Sequence, residues 1–111
     1  MTDERLTDEL ARLILGWRPG ADRYLISRRE WIKRERFRPF TDVSSAFRLL
    51  DAVTDNYSLR SVPRKGVTVE IRRGARTEIV SDQSKSRAIT LAVAHLFDLD
   101  LADTSGGGNR G

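Results

Sequence analysis

The sequence predicts an α+β fold: three helices and a three-stranded antiparallel β-meander in a single compact domain over residues 1–103, followed by a flexible glycine-rich tail at 104–111. Three observations predict it. Apolar residues recur at three- and four-residue spacing near the start, middle and end of the chain, the period of a helix with one buried face. Between the second and third of these stretches, Val67-Thr68-Val69-Glu70-Ile71-Arg72 alternates apolar with polar between glycine-containing turns, as a half-buried strand does. A chain of 111 residues with no cysteine is long enough for one hydrophobic core without disulfide or metal staples.

In the first helix Leu6, Leu10, Leu13, Ile14 and Trp17 form the apolar stripe. Thr2 or Thr7 supplies a cap, and Asp3, Glu4, Asp8 and Glu9 lie toward the end where the helix dipole favours negative charge. Gly16 and then Pro19-Gly20 end it, leaving Trp17 as a lid on the core. From Ala21 to Arg38 the pattern weakens: Tyr24-Leu25-Ile26 is short, and Trp31 to Phe37 mixes alternation with charge on both faces. An irregular connection with one short extended segment is expected there. A connection of that length in a small domain is a place to look for a partner surface.

The central helix is announced by Pro39, which disfavours helix before it, and by the capping residues Thr41, Asp42 and Ser44. Val43, Ala46, Phe47, Leu50 and Val53 then define its apolar face. Extended segments follow from Tyr57 to Val62, Val67 to Arg72 and Thr77 to Val80, separated by Pro63-Arg64-Lys65-Gly66 and Arg73-Gly74-Ala75-Arg76. The expected inner face carries Leu59, Val67, Val69, Ile71 and Ile79, with Thr68, Glu70, Arg72 and Glu78 outside. Glu70 and Glu78 are placed to face each other across adjacent strands, where Arg72 or Arg76 would neutralise them. Ser81 to Ser84 cap the last helix, Lys85 to Phe97, with Ile89, Ala92, Val93 and Leu96 buried, Leu91, Ala94 and Phe97 widening the stripe, and Leu99 and Leu101 docking beyond. The predicted core is Leu10, Leu13, Ile14, Phe47, Leu50, Val53, Val67, Val69, Ile71, Ile89, Val93 and Leu96.

Little in the sequence is chemical. The lone histidine, His95, lies near the apolar stripe of the last helix without a ligand partner on its own face, and reads as a boundary residue. Asp51 and Asp55, one turn apart, read as a solvated pair. Gly106-Gly107-Gly108 opens no helix, and neither the turn at Pro63 nor that at Arg73 has phosphate-loop spacing. No catalytic residue, metal ligand or cofactor is therefore expected, and the protein is read as not an enzyme. Without cysteines, a secretory signal or an apolar run of membrane-spanning length, the expected location is the cytoplasm, with no membrane partner. The sequon Asn56-Tyr57-Ser58 then has no role.

The net charge of +4 is unevenly spread. Arg28, Arg29, Lys33, Arg34, Arg36 and Arg38 crowd the approach to the central helix, around Trp31, the one aromatic interleaved with basic residues. Those seven residues are the candidate partner-binding site, because arginine forks recognise phosphates and carboxylates and an indole stacks on bases or cations. Two plainer roles compete with it: a solvated basic surface, and a tryptophan anchoring a long loop.

The order of these parts resembles the phage ABA sandwich domain family of small phage and prophage proteins. The likeness rests on a helix ending Leu15-Gly16-Trp17, the start Pro39-Phe40-Thr41-Asp42-Val43-Ser44-Ser45-Ala46-Phe47, and the small-residue-rich helix Ser86 to Ala94. Leu15, Val43 and Phe47 stand where the family pattern has methionine, isoleucine and tryptophan. The resemblance spans most of residues 6–97 and implies a mobile-element accessory protein without catalytic residues. Its expected partner is a host protein or nucleoprotein complex, including an antiviral one that it would inhibit in an anti-CRISPR-like way. Direct nucleic-acid binding through the arginine-rich segment and small-ligand binding are the alternatives. Against a cationic nucleoprotein channel the contacts would instead be Asp51, Asp55, Glu70 and Glu78, so the sign of the interface stays open.

Overall fold

Helix α1 (Asp3–Leu10) begins where the Thr2 hydroxyl accepts a hydrogen bond from the Arg5 amide, with Asp3 and Glu4 in its first turn. The computed structural model describes residues 2–54 and 56–99 of the chain. The helix continues as a π-helical turn, Ala11–Leu15, and stops at Gly16, whose φ of 72° is a left-handed conformation that glycine adopts without a Cβ clash. That π turn shifts the stripe. A wider turn rotates every residue after it relative to an α-helical register, so Leu13, expected in the core, is 45% exposed, whereas Ala11 is fully buried. Ile14 and Leu15 pack at the margin.

Residues 18–33 form an additional sheet, the first of two along the chain, where an irregular connection with one short extended segment was expected. Strands β1 (Arg18–Pro19), β2 (Arg23–Leu25) and β3 (Trp31–Lys33) pair antiparallel in that order, with Arg18 opposite Leu25, Tyr24 opposite Ile32, and Leu25 opposite Trp31. Strands of two or three residues give alternation too little length to register. Their inner face is fixed by aromatic packing. Trp17, Tyr24 and Phe37 are all buried, with ring centroids 5.0 to 6.0 Å apart in tilted and edge-to-face arrangements, geometries that each add about 0.5–1.5 kcal/mol beyond burial. Trp17 is thus the lid the sequence predicts. A 3₁₀ turn, Arg34–Arg36, leads out of β3.

Helix α2 (Val43–Val53) is capped by Asp42, which accepts from the Ser45 amide and hydroxyl. Its buried face is Ser45, Ala46, Leu49 and Leu50, while Phe47 and Val53 are half-buried. Val43, expected on the apolar face of the helix, is exposed. It is the first helical residue, and the buried position one turn in goes to Ser45, whose hydroxyl accepts from the Arg38 amide.

The meander follows as predicted: β4 (Tyr57–Val62), β5 (Gly66–Arg73) and β6 (Arg76–Asp82), antiparallel in that order. Its register corrects two expectations. Val80 pairs with the fully buried Val69 and Glu78 with Ile71, so β6 turns Val80 inward and Ile79, expected inside, lies 63% exposed on the outer face. Adjacent Ile79 and Val80 both satisfied the apolar pattern, and only the pairing decides between them. The same parity puts Glu78 on the inner face at the sheet's edge and Glu70 outside, opposite Ile79, so the two carboxylates do not meet. Arg76 and Arg72 neutralise them separately, at 3.0 Å in each case.

Helix α3 (Lys85–Leu96) packs against β5 and β6 on one side and α2 on the other. Ser84 caps it. Ala88, Ile89, Ala92, Val93, Ala94 and Leu96 are buried, with Ser86 and Thr90. These two hydroxyls explain their own burial: Ser86 donates to the Phe40 carbonyl at 3.0 Å, and Thr90 reaches the Pro39 and Ser86 carbonyls at 2.7 and 2.8 Å. The Pro39-Phe40 approach to α2 is thereby pinned to the last helix. Leu99 packs on the core as expected, whereas Asp55, Leu101 and the tail at 104–111 lie outside the described residues. Among the described residues no helix is long and apolar enough to cross a membrane.

Candidate functional site

Strand alternation sorts the first sheet into two faces. Pro19, Tyr24 and Ile32 form the inner row; Arg18, Leu25 and Trp31 lie opposite one another in an outer row, with Arg23 opposite Lys33 in the next. On that outer face Trp31 is 48% exposed and Leu25 40%, and Ile26 beyond β2 is exposed as well. Trp31 is therefore not buried in the core. Instead the Arg23 guanidinium lies over its indole, 4.3 Å from the ring centroid. Arg23 also bonds the Asp22 carboxylate at 3.1 Å, an arrangement that holds Asp22 below the ordinary carboxylate range and raises Arg23. One arginine thus fixes the ring from one side.

The seven predicted residues do not form one cluster. Trp31 and Lys33 share the outer face, and Arg28 and Arg29 occupy the exposed β2–β3 connection next to it, where Ile26 and Ser27 amides donate to the Glu30 carbonyl and close the turn. Arg36 is exposed in the 3₁₀ turn and Arg38 is exposed beyond it. Arg34 points the other way. Its guanidinium forks onto Asp8 at 2.8 and 3.0 Å, donates twice to the Gly20 carbonyl at 2.6 and 2.9 Å, and lies 4.8 Å from the Tyr24 ring centroid. The Tyr24 hydroxyl donates to the same Asp8 at 2.7 Å, and burial, followed by that bond, raises the phenol well above its ordinary pKa. Arg34 is thus a brace between α1 and the first sheet. Arg18, Arg23 and Leu25 were missed; the signal that finds them is strand register, which needs the pairing.

The charge concentrates here. Residues 18–36 carry seven basic and three acidic side chains, so this segment holds the whole formal +4 and the remainder of the chain balances. With Arg34 joined to Asp8 and Arg23 to Asp22, the outward cations are Arg18, Arg28, Arg29, Lys33 and Arg36.

A separate concavity of about 300 Å³ lies between the start of α1 and residues 34–41. Tyr24, Phe37 and Phe40 line it, with Asp3 and Glu4 from α1 and Arg34 and Arg38 from the connection. Among the described residues no three of His, Cys, Asp or Glu converge as metal ligands do. His95 is half-buried on α3, and its carbonyl accepts from Arg76 at 2.8 Å.

No protein-family model matches the sequence, and no curated protein matches it. Among solved structures, the 2.0 Å crystal structure of a phage protein from Bacillus cereus ATCC 14579 is similar, with a TM-score of 0.74 over 92% of this chain and 93% of that one, at 14% sequence identity. At that identity the two share a fold.

Proposed function

We propose that this chain is a phage-type accessory protein, not an enzyme, that acts in the cytoplasm by occupying a host macromolecule through the outer face of its first sheet. One observation carries the reading: a half-exposed tryptophan is held by an arginine on an outer face that also presents Arg18 and Lys33, in the segment that carries the chain's excess positive charge. Trp and Arg are the residues that most often dominate binding energy at interfaces. The fold shared with a phage protein supports the origin, and the finer readings, membership of the phage ABA sandwich domain family and inhibition of a host defence complex, rest on the sequence resemblance. The test is affinity capture from a bacterial host with mass spectrometry, with and without nuclease, comparing wild type with Trp31→Ala and Lys33→Glu. A partner retained by wild type and lost by both variants is the expected result. Equal retention by all three would sink the assignment of this face.

The concavity beside α1 favours a second reading, a small-ligand site, because its aromatic lining lies between acidic and basic side chains and its volume is at the lower end of ligand pockets. A metabolite screen by thermal shift checks it; a ligand whose stabilisation survives Phe37→Leu and Arg38→Ala would place binding elsewhere.

A further inference from the structure

The outer face of the first sheet narrows its partner by chemistry. The indole is half-exposed with a guanidinium over it, so ring area is left for a second flat group, and Arg23 and Lys33 occupy the neighbouring outer row one strand repeat away. Trp31 and Lys33 are two residues apart on one strand, about 7 Å along it. Arg18 lies across the sheet from Leu25 and Trp31, and Arg28 and Arg29 stand at the adjoining turn. A ligand that alternates planar groups with negative charges satisfies both features at once. A peptide of acidic residues alone supplies the charges but no aromatic plane to stack on the indole. Duplex nucleic acid supplies charges too, but its bases are stacked inside the helix.

We propose that this face binds single-stranded nucleic acid, with a base stacked on the Trp31 indole and backbone phosphates held by Arg18, Lys33, Arg28 and Arg29. This deepens the reading above and rests on it: the site is the same, and the partner is given a chemical class. Stacking on an aromatic side chain tolerates any base, so the interaction is weakly sequence-dependent and strongly salt-dependent.

The experiment is fluorescence anisotropy of a short labelled oligothymidine and a mixed-sequence RNA of equal length, with the corresponding DNA duplex and polyglutamate as competitors. Four phosphate contacts on a single strand predict a loss of affinity of about 50-fold between about 50 and 200 mM salt. Trp31→Ala should weaken binding about 10-fold or more, and Trp31→Phe, which keeps a ring, should stay within about 3-fold of wild type. Arg28→Glu with Arg29→Glu should lower both the affinity and the salt slope. Binding should also quench Trp31 emission, against the constant signal of buried Trp17. All the substituted side chains are exposed, and unchanged circular dichroism and urea midpoints establish that the variants fold. Absence of oligonucleotide binding at low salt, unchanged affinity in Trp31→Ala, or equal competition by duplex or polyglutamate would each overturn the proposal. If oligonucleotides fail while host capture still yields a nuclease-resistant partner that depends on Trp31, the class of partner is wrong and the docking face stands; failure of both removes both.

Discussion

Replacing Arg34 with methionine should unfold this protein more readily without touching the exposed face it was expected to serve. The arginine side chain is 20% exposed and its partner Asp8 26%, between the exposed pairs that contribute about 0–1 kcal/mol and the buried pairs whose breaking costs about 3–5 kcal/mol. Methionine keeps an unbranched stem against Tyr24 but removes both bonds to Asp8 and both to the Gly20 carbonyl. Asp8 keeps only the Tyr24 hydroxyl, and charge-assisted bonds of this kind are each worth about 1.5–3 kcal/mol net. The expected loss is about 2–3 kcal/mol, or a melting point lower by about 10–15 °C for a domain of this size. Urea unfolding measures the first, and a double-mutant cycle with Asp8→Asn should give a coupling of about 1.5 kcal/mol. Below saturation of unfolding, Arg34→Met should bind the exposed-face partner within about 3-fold of wild type. A stability change under about 0.5 kcal/mol, or normal stability with abolished binding, would refute the brace and return Arg34 to the contact set.

Gly66→Ala should be far more disruptive than the position of this half-buried glycine at the start of β5 suggests, because φ is 94° and a Cβ would collide with the Asp82 carbonyl oxygen; a loss above about 3 kcal/mol by urea unfolding is expected. Thr90→Val leaves the buried Pro39 carbonyl without its hydroxyl donor and should cost about 1–3 kcal/mol in the same assay. Asp42→Ala removes a cap whose carboxyl is held below its ordinary pKa by the Ser45 hydroxyl and then by amides. A depressed carboxyl stabilises fully above its unfolded pKa of about 3.9 and loses that contribution as pH falls through the lower folded value. The gap between wild type and Asp42→Ala should therefore be present at neutral pH and close under acid; a gap that persists at pH 2 would exclude the carboxylate cap.

Periodicity found every long element and misjudged particular faces. The Thr2 and Ser84 caps, the Gly16 stop and the alternating run around Val69 are local signals, and each appears where the residues put it. Leu13 failed because a π turn changes the angular step, and Ile79 because two adjacent apolar residues cannot choose their own parity. The site was legible only as a region. Arg34 and Arg28 have the same composition signal; what separates them is Asp8, 26 residues from Arg34 in sequence. Likewise Arg23 joins Trp31 through strand pairing across a turn, a relation no spacing rule contains.

The two sheets supply their own control. The outer face of the second sheet is mostly polar, as folding alone requires: Ser58, Arg60, Thr68, Glu70, Arg72 and Ser81, with Arg72 paired to Glu70 and Thr68 bonded to Ser81, and with Ile79 and the strand-end Val62 as apolar members. The first sheet is smaller and is already secured from within by Trp17, Tyr24, Phe37 and the Arg34 brace. Its outer face contributes little to that packing, so polar side chains would serve stability as well there. Yet that face presents Trp31 and Leu25 together, with Arg18, Arg23 and Lys33 beside them in the same two rows. Scattered exposed hydrophobes are ordinary, but a paired tryptophan and leucine with those three basic residues beside them is a pattern that the packing of the sheet does not require. That pattern is what the proposed contact with a flat, anionic partner would use.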